Sequence, residues 1–293
     1  MANTDVAKVK SSEVAGYDYG EMAHEGFEGT SIKDLSIPFI NVLQSNSPEV
    51  EDQTVPGAKA GDLLNSVTKE ILKQPLIVIP LEKEESWVEW VPRNKGGGLV
   101  DRHEPNSDLV LGLIKQNGGS RIPPKDAEGK RIAFKSPKSN DIIETHYVYC
   151  LILNEDGNTV EGYCVLSFAS AKIKAYKDWM TALYTQKGRP PIFANRAKIS
   201  TSKQKNEQGT FYVYAIHPFA ETWRESLIPP NTDEGMALLT EAKDFRKMIQ
   251  EGLAKPAYDT AEDVRGGAGV DGDSGPQNSS GRKKSSDDDE IPF

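Results

Sequence analysis

Cysteine is scarce in this chain of 293 residues: Cys150 and Cys164 are the only two. A disulfide scaffold needs more, and so low a count fits a reducing compartment. Long apolar runs are missing as well. No stretch approaches the roughly eighteen apolar residues of a membrane-spanning helix. The opening residues, MANTDVAKVKSSEVAGYDYGE, contain no apolar core of the kind a secretory signal needs. The expectation is a soluble, cytoplasmic protein.

Histidine is nearly as rare, with four in the chain. His146, Cys150 and Cys164 share one region, but their spacing does not give the two close ligand pairs of a structural zinc site. Alternation within strands makes both cysteines small core residues instead. His103 and His217 have no legible partners. There is no Gly-x4-Gly-Lys-Ser/Thr phosphate loop, no nucleophile elbow, no Ser-His-Asp order and no clustered metal-binding carboxylates. The sequence therefore predicts no enzyme, no cofactor and no metal.

The formal charge is −9, which argues against a polyanionic partner until its distribution is read. Residues 1–30 carry six acids and two lysines, and residues 258–293 carry nine acids and four bases. The stretch between them is neutral overall, yet residues 170–206 hold nine Lys/Arg against one acid, Asp178. One internal segment is strongly basic, and the acidity lies at the two ends.

Composition divides the chain into four parts. Residues 1–30, poor in large aliphatics, are expected to be a flexible acidic segment. Residues 31–257 carry the apolar patterning of a core. Residues 258–284 are Gly, Ser and Asp with almost no large side chains and read as a disordered linker. Residues 285–293 form an acidic tip.

Within the core, Leu76 to Leu81 is a continuous apolar run, the pattern of a strand buried on both faces. Trp87 to Val91 is strand-like, with its two tryptophans three apart and so on opposite faces. The excursion 101–141 is rich in Gly, Pro, Asn and charge and reads as loop. Thr145–Leu153 and Val160–Phe168 flank Asn-Glu-Asp-Gly-Asn-Thr, a strong hairpin signal. Ile173, Tyr176, Met180, Leu183 and Tyr184 repeat at helical spacing, and Gly188 with Pro190-Pro191 ends that helix. A second strand pair is predicted over 192–201 and 209–217, and a last helix over 233–253. The expected fold is α+β, mainly β: an OB-like twisted barrel with insertions, one helix between strands and a C-terminal helix. Other α+β folds fit the same order.

The basic segment interleaves Lys172, Lys174, Lys177, Lys187, Arg189, Arg196, Lys198, Lys203 and Lys205 with aromatic residues. Single-stranded nucleic acid calls for this mixture, because cations neutralise phosphates and aromatic faces stack on unpaired bases. The Gly-rich turn at Arg93 and Lys95 could add two more phosphate contacts. Trp87, Trp90, Trp179, Phe193, Tyr212 and Tyr214 are the stacking candidates. The plainer alternative is an amphipathic helix with solvated lysines and a packed aromatic face. Helical spacing favours that for Tyr176, Met180, Leu183 and Tyr184.

The tip reads Ser-Ser-Asp-Asp-Asp-Glu-Ile-Pro-Phe. Asp287, Asp288, Asp289 and Glu290 give an acidic run, and Ile291, Pro292 and Phe293 an apolar hook. Such a segment suits a small apolar pocket with a basic rim. It closely resembles the C-terminal tip of bacterial single-stranded DNA-binding proteins, and the openings SIPFINVLQSNSPEV and WVEWVPRNKGGGLV are similar to bacteriophage proteins of this type. The resemblance implies an OB-fold core that coats single-stranded DNA without sequence preference during phage replication, recombination and repair, in the cytoplasm of a bacterial host cell. It also implies a tip that recruits replication and repair proteins. Two alternatives stay open: a ring-forming recombination mediator or strand-annealing protein, and an adaptor for host replication proteins that does not bind DNA. Homo-oligomerisation is a further partner question the sequence leaves open.

Overall fold

A computed structural model describes residues 13–14, 17–18, 26, 28, 34–129, 131–206 and 209–258. The tip at 285–293 lies outside them, as do the linker after Tyr258 and most of the N-terminal segment. A two-residue ladder, β1 (Glu13–Val14) with β2 (Tyr17–Asp18), precedes the core. The core runs through β3 (Ser36–Ile37), β4 (Ile40–Val42), the one-turn helix α1 (Pro48–Glu51), β5 (Leu63–Asn65), β6 (Ile71–Leu72) and the long β7 (Leu76–Trp90). Then come β8 (Leu99–His103), α2 (Asp108–Gln116), β9 (Phe134–Lys135), β10 (Asp141–Leu153), β11 (Val160–Ala169) and α3 (Ile173–Tyr184). β12 (Ala197–Asn206), β13 (Gly209–Pro218), α4 (Asp233–Gln250) and β14 (Lys255–Pro256) complete it.

The main sheet has the order β11-β10-β7-β12-β13, with β8 added to β7 and β9 to β10. β7 and β10 pair antiparallel from Ile77↔Leu153 to Trp90↔Asp141, with a bulge at Tyr149/Cys150. The far edge of β7 is shared: β12 takes Leu76–Val78 and β8 takes Trp87–Trp90. A separate antiparallel sheet, β4-β5-β6, is tied to β13 by Gln44, whose side chain bonds both the N–H and the carbonyl of Tyr212.

Alternation along the strands feeds two cores, one on each face of the sheet. On one face Ile77, Ile79, Leu81, Tyr149 and Leu151 pack with Leu238, Ala242 and Phe245 of α4. On the other, Val78, Val148, Cys150, Cys164 and Phe168 pack with Tyr176, Trp179 and Leu183 of α3 and with Ile40 and Leu63 of the small sheet. The outer end of β7 and β10 has its own cluster, where Trp87, Phe134 and Ile142 meet Val110 and Leu113 of α2.

This overturns the expected OB-like barrel. A barrel encloses one interior, whereas this antiparallel sheet is covered on both faces and closes on itself nowhere among the described residues. The fold is mixed α/β. The strand count suggested a barrel, but it does not register that α3 and α4 are layers lying on opposite faces. The 101–141 excursion is also more ordered than expected. Ser107 caps α2 through Val110 N–H, and Val110 and Leu113 face the Trp87 cluster. Among the described residues no helix is long and apolar enough to cross a membrane.

Candidate functional site

The stacking platform inferred from the sequence is not displayed. Trp87, Trp90, Trp179 and Tyr214 are buried core residues, at 0%, 5%, 2% and 2% exposure. Phe193 and Tyr212 are half-buried against the two cores. These six aromatics hold the sheet and its helices together, because transfer of such large apolar surfaces out of water outweighs their use at the surface.

The cations divide in two. Lys172 and Arg196 are buried. Arg196 Nη1 donates to the Gly157 carbonyl at 3.1 Å and to Asn158 Oδ1 at 3.3 Å, and its guanidinium lies over Phe219, 4.4 Å from the ring centre. It is a structural clamp between the hairpin turn and β12. Lys172 sits over the Tyr214 ring at 5.3 Å, and burial pulls its ammonium down to about 8. The rest are on the surface but scattered. Lys174 pairs with Asp178 at 2.6 Å, and Lys177 is exposed on α3. Lys187 and Arg189 lie in the following turn, with Arg189 over the exposed ring of Tyr184. Lys198 is half-buried beside Phe219, Lys203 and Lys205 end β12, and Lys95 lies in the β7–β8 turn. The Arg93 side chain is outside the described set. Of the aromatics interleaved with these cations in the sequence, Tyr176 and Trp179 are buried and Phe193 half-buried, while Tyr184 is exposed beneath Arg189. With neither a barrel nor a stacking surface, the proposed mechanism of coating single-stranded DNA loses its structural basis.

What the fold does assemble is a charged cluster on the α3 face of β7 and β10, beyond the apolar core. The register places Glu85 directly opposite His146, and Glu144 lies two residues before His146 on the same face. One ligand-type atom from each of these three side chains lies within 4.8 Å of the others. Arg121, from the loop after α2, reaches in to pair with Glu85 and, at 2.9 Å, with Glu144, and its guanidinium lies near the Trp87 ring. Trp87 Nε1 donates to Glu85 Oε1 at 3.2 Å. The His146 ring stacks on Tyr176 of α3, with centroids 4.3 Å apart. Burial pushes the Glu144 carboxyl up, but the His146 ring, Arg121 and Lys177 more than offset it and hold it below the usual carboxylate range.

A second polar group pins the excursion to the sheet. His103 Nε2 lies 2.9 Å from Glu89 Oε2, and Asn140 Nδ2 donates to Glu89 Oε1 at 2.7 Å. His103 thus has a partner that the sequence did not disclose. Glu85, Glu144 and Arg121 were missed for a related reason. A Glu-x-His alternation is visible in Glu144-Thr145-His146, but only the strand register brings Glu85 to it from sixty residues away.

The family model described as "Pam3 phage gp34-like protein" matches residues 7–255. No curated protein and no solved structure matches the chain.

Proposed function

The chain belongs to the Pam3 phage gp34-like family, and we propose that it serves there as a non-catalytic adaptor, recruiting a partner protein through residues 285–293. The observation that carries this reading is the run Asp287-Asp288-Asp289-Glu290-Ile291-Pro292-Phe293, set apart from the family-matched residues by a Gly/Ser/Asp-rich stretch. An apolar hook behind four carboxylates has the chemistry of an anchor for a small apolar pocket with a cationic rim. The aromatic ring supplies contact area, proline reduces the entropy lost on docking, and the acids accelerate encounter and lose strength in salt. The folded part complements this as a support. Its sheet is covered on both faces, and Trp87, Trp90, Trp179, Phe193, Tyr212 and Tyr214 are packed in or against its apolar clusters. Partners of the expected kind are replication or repair proteins in the cytoplasm of a bacterial host.

The test uses a host replication or repair protein that binds the C-terminal peptide of the host single-stranded DNA-binding protein. The labelled peptide is prebound and its fluorescence anisotropy followed. The full-length chain displaces the peptide, and the Phe293→Ala variant does so at least about tenfold less well, as for loss of an aromatic anchor. Equal displacement by wild type and variant, or none by either, contradicts the reading.

A further inference from the structure

We infer that Glu85, Glu144 and His146 form a binding site for a first-row divalent cation of the zinc type, for which Arg121 is the competing occupant. Three ligand-type side chains on one face of two paired strands, with reactive atoms within 4.8 Å of one another, supply the three protein ligands of an open tetrahedral site. An imidazole nitrogen in the set favours zinc, copper, iron or nickel over magnesium, calcium or manganese.

The second observation is His146 itself. The residue is 7% exposed, and its Nε2 is a buried nitrogen with no hydrogen-bond partner. Glu144 Oε1, at 3.3 Å, is an ion-pair partner only when the ring is protonated, and the contact is not an aligned hydrogen bond. A buried polar atom left without a partner costs free energy, and here it faces two carboxylates. Arg121 neutralises those carboxylates, but its paired N–H groups go to Glu85 and Glu144 and none bonds the ring nitrogen. A metal ion satisfies all three groups at once.

The surroundings suit a metal centre. The Trp87 indole N–H fixes one oxygen of Glu85, and Tyr176 holds the imidazole plane by stacking, the kind of outer contacts that orient metal ligands. Arg121 comes from a loop rather than from the sheet, and its side chain is 46% exposed, so it can leave toward solvent without disturbing the ligands. The site is independent of the tail and of the adaptor reading.

The experiment is titration of the untagged full-length chain with Zn²⁺ by calorimetry and with Co²⁺ by visible absorption. The expected result is one equivalent bound, with a Co²⁺ spectrum typical of low coordination number and quenching of Trp87 emission. His146→Gln weakens this binding at least tenfold, whereas Arg121→Gln strengthens it by removing the competitor. Because His146→Gln also removes the stack on Tyr176, the more exposed Glu85→Gln is measured in parallel, with near-UV circular dichroism to show that each variant is folded. Absence of Zn²⁺ and Co²⁺ binding by the wild-type chain overturns the inference. So does binding that folded His146→Gln and Glu85→Gln both leave unchanged, since the ion would then sit elsewhere, for instance on the acidic tail.

Discussion

Lys172 lies over the Tyr214 ring, 5.3 Å from its centre. It stands in the most basic segment of the chain, yet it is 2% exposed and its ammonium is held down to about 8 by burial. In the unfolded chain the same group keeps its proton to about 10.4. Below pH 8 the folded state bears the full cost of a buried charge. That cost disappears as the pH rises from 8 toward the unfolded value, so stability contributed at this position increases with pH. Lys172→Met should therefore raise stability by roughly 1–3 kcal/mol at pH 7 and by almost nothing at pH 10.5. Urea midpoints of both proteins at the two pH values check this, and an equal gain at both would contradict it. Burial of Trp87, Trp90 and Trp179 has its own signature: blue-shifted emission that iodide quenches poorly in the native chain, and readily after unfolding. Helical spacing identified Tyr176 and Leu183 as core correctly. It failed for Tyr184, 64% exposed, because α3 ends at that residue. For Trp87 and Trp90 the sequence could assign opposite faces but could not show that both faces are covered.

Among the elements, the hairpin was the most legible. Asp156-Gly157 sits between two alternating runs, and Gly157 adopts φ +69° with the Phe219 ring packed where a Cβ would project. The two long helices were legible as well from periodicity, and α3 also from its stop signal at Gly188 and Pro190-Pro191. α2 was not, because nine helical residues in a stretch of Pro, Gly and charge leave too short a pattern. The charged cluster was illegible for a different reason: it exists only in the register of β7 against β10, and no single element contains it. The start of α4 shows how tightly one helix is seated. Thr232 caps it, accepting from the N–H of Gly235 at 3.1 Å, and a Cβ on Gly235 would lie 1.9 Å from the Pro229 carbonyl oxygen. Although alanine is the better helix former, Gly235→Ala should destabilise the fold by about 3 kcal/mol, because backbone has to move. A lowered urea midpoint with an unchanged slope is the expected observation. A midpoint equal to that of wild type would mean that the Pro229 turn yields freely.

At the scale of the whole molecule the chain separates into a family-matched part, residues 7–255, and a tail of different chemistry. The net charge of −9 conceals a neutral middle between acidic ends, so charge is informative about this protein only segment by segment. The folded part packs Trp87, Trp90, Trp179 and Tyr214 into three apolar clusters and scatters its cations. The tail concentrates four acids and an apolar hook in seven residues. If the tail is the functional end, it should be portable. The decisive measurement is to fuse residues 259–293 to an unrelated folded carrier and determine its affinity for the partner that the full-length chain binds. The expected affinity is within about threefold of the full-length value, a difference of under 1 kcal/mol. A carrier fusion that does not bind, beside a full-length chain that does, would place recognition in the folded core and contradict it.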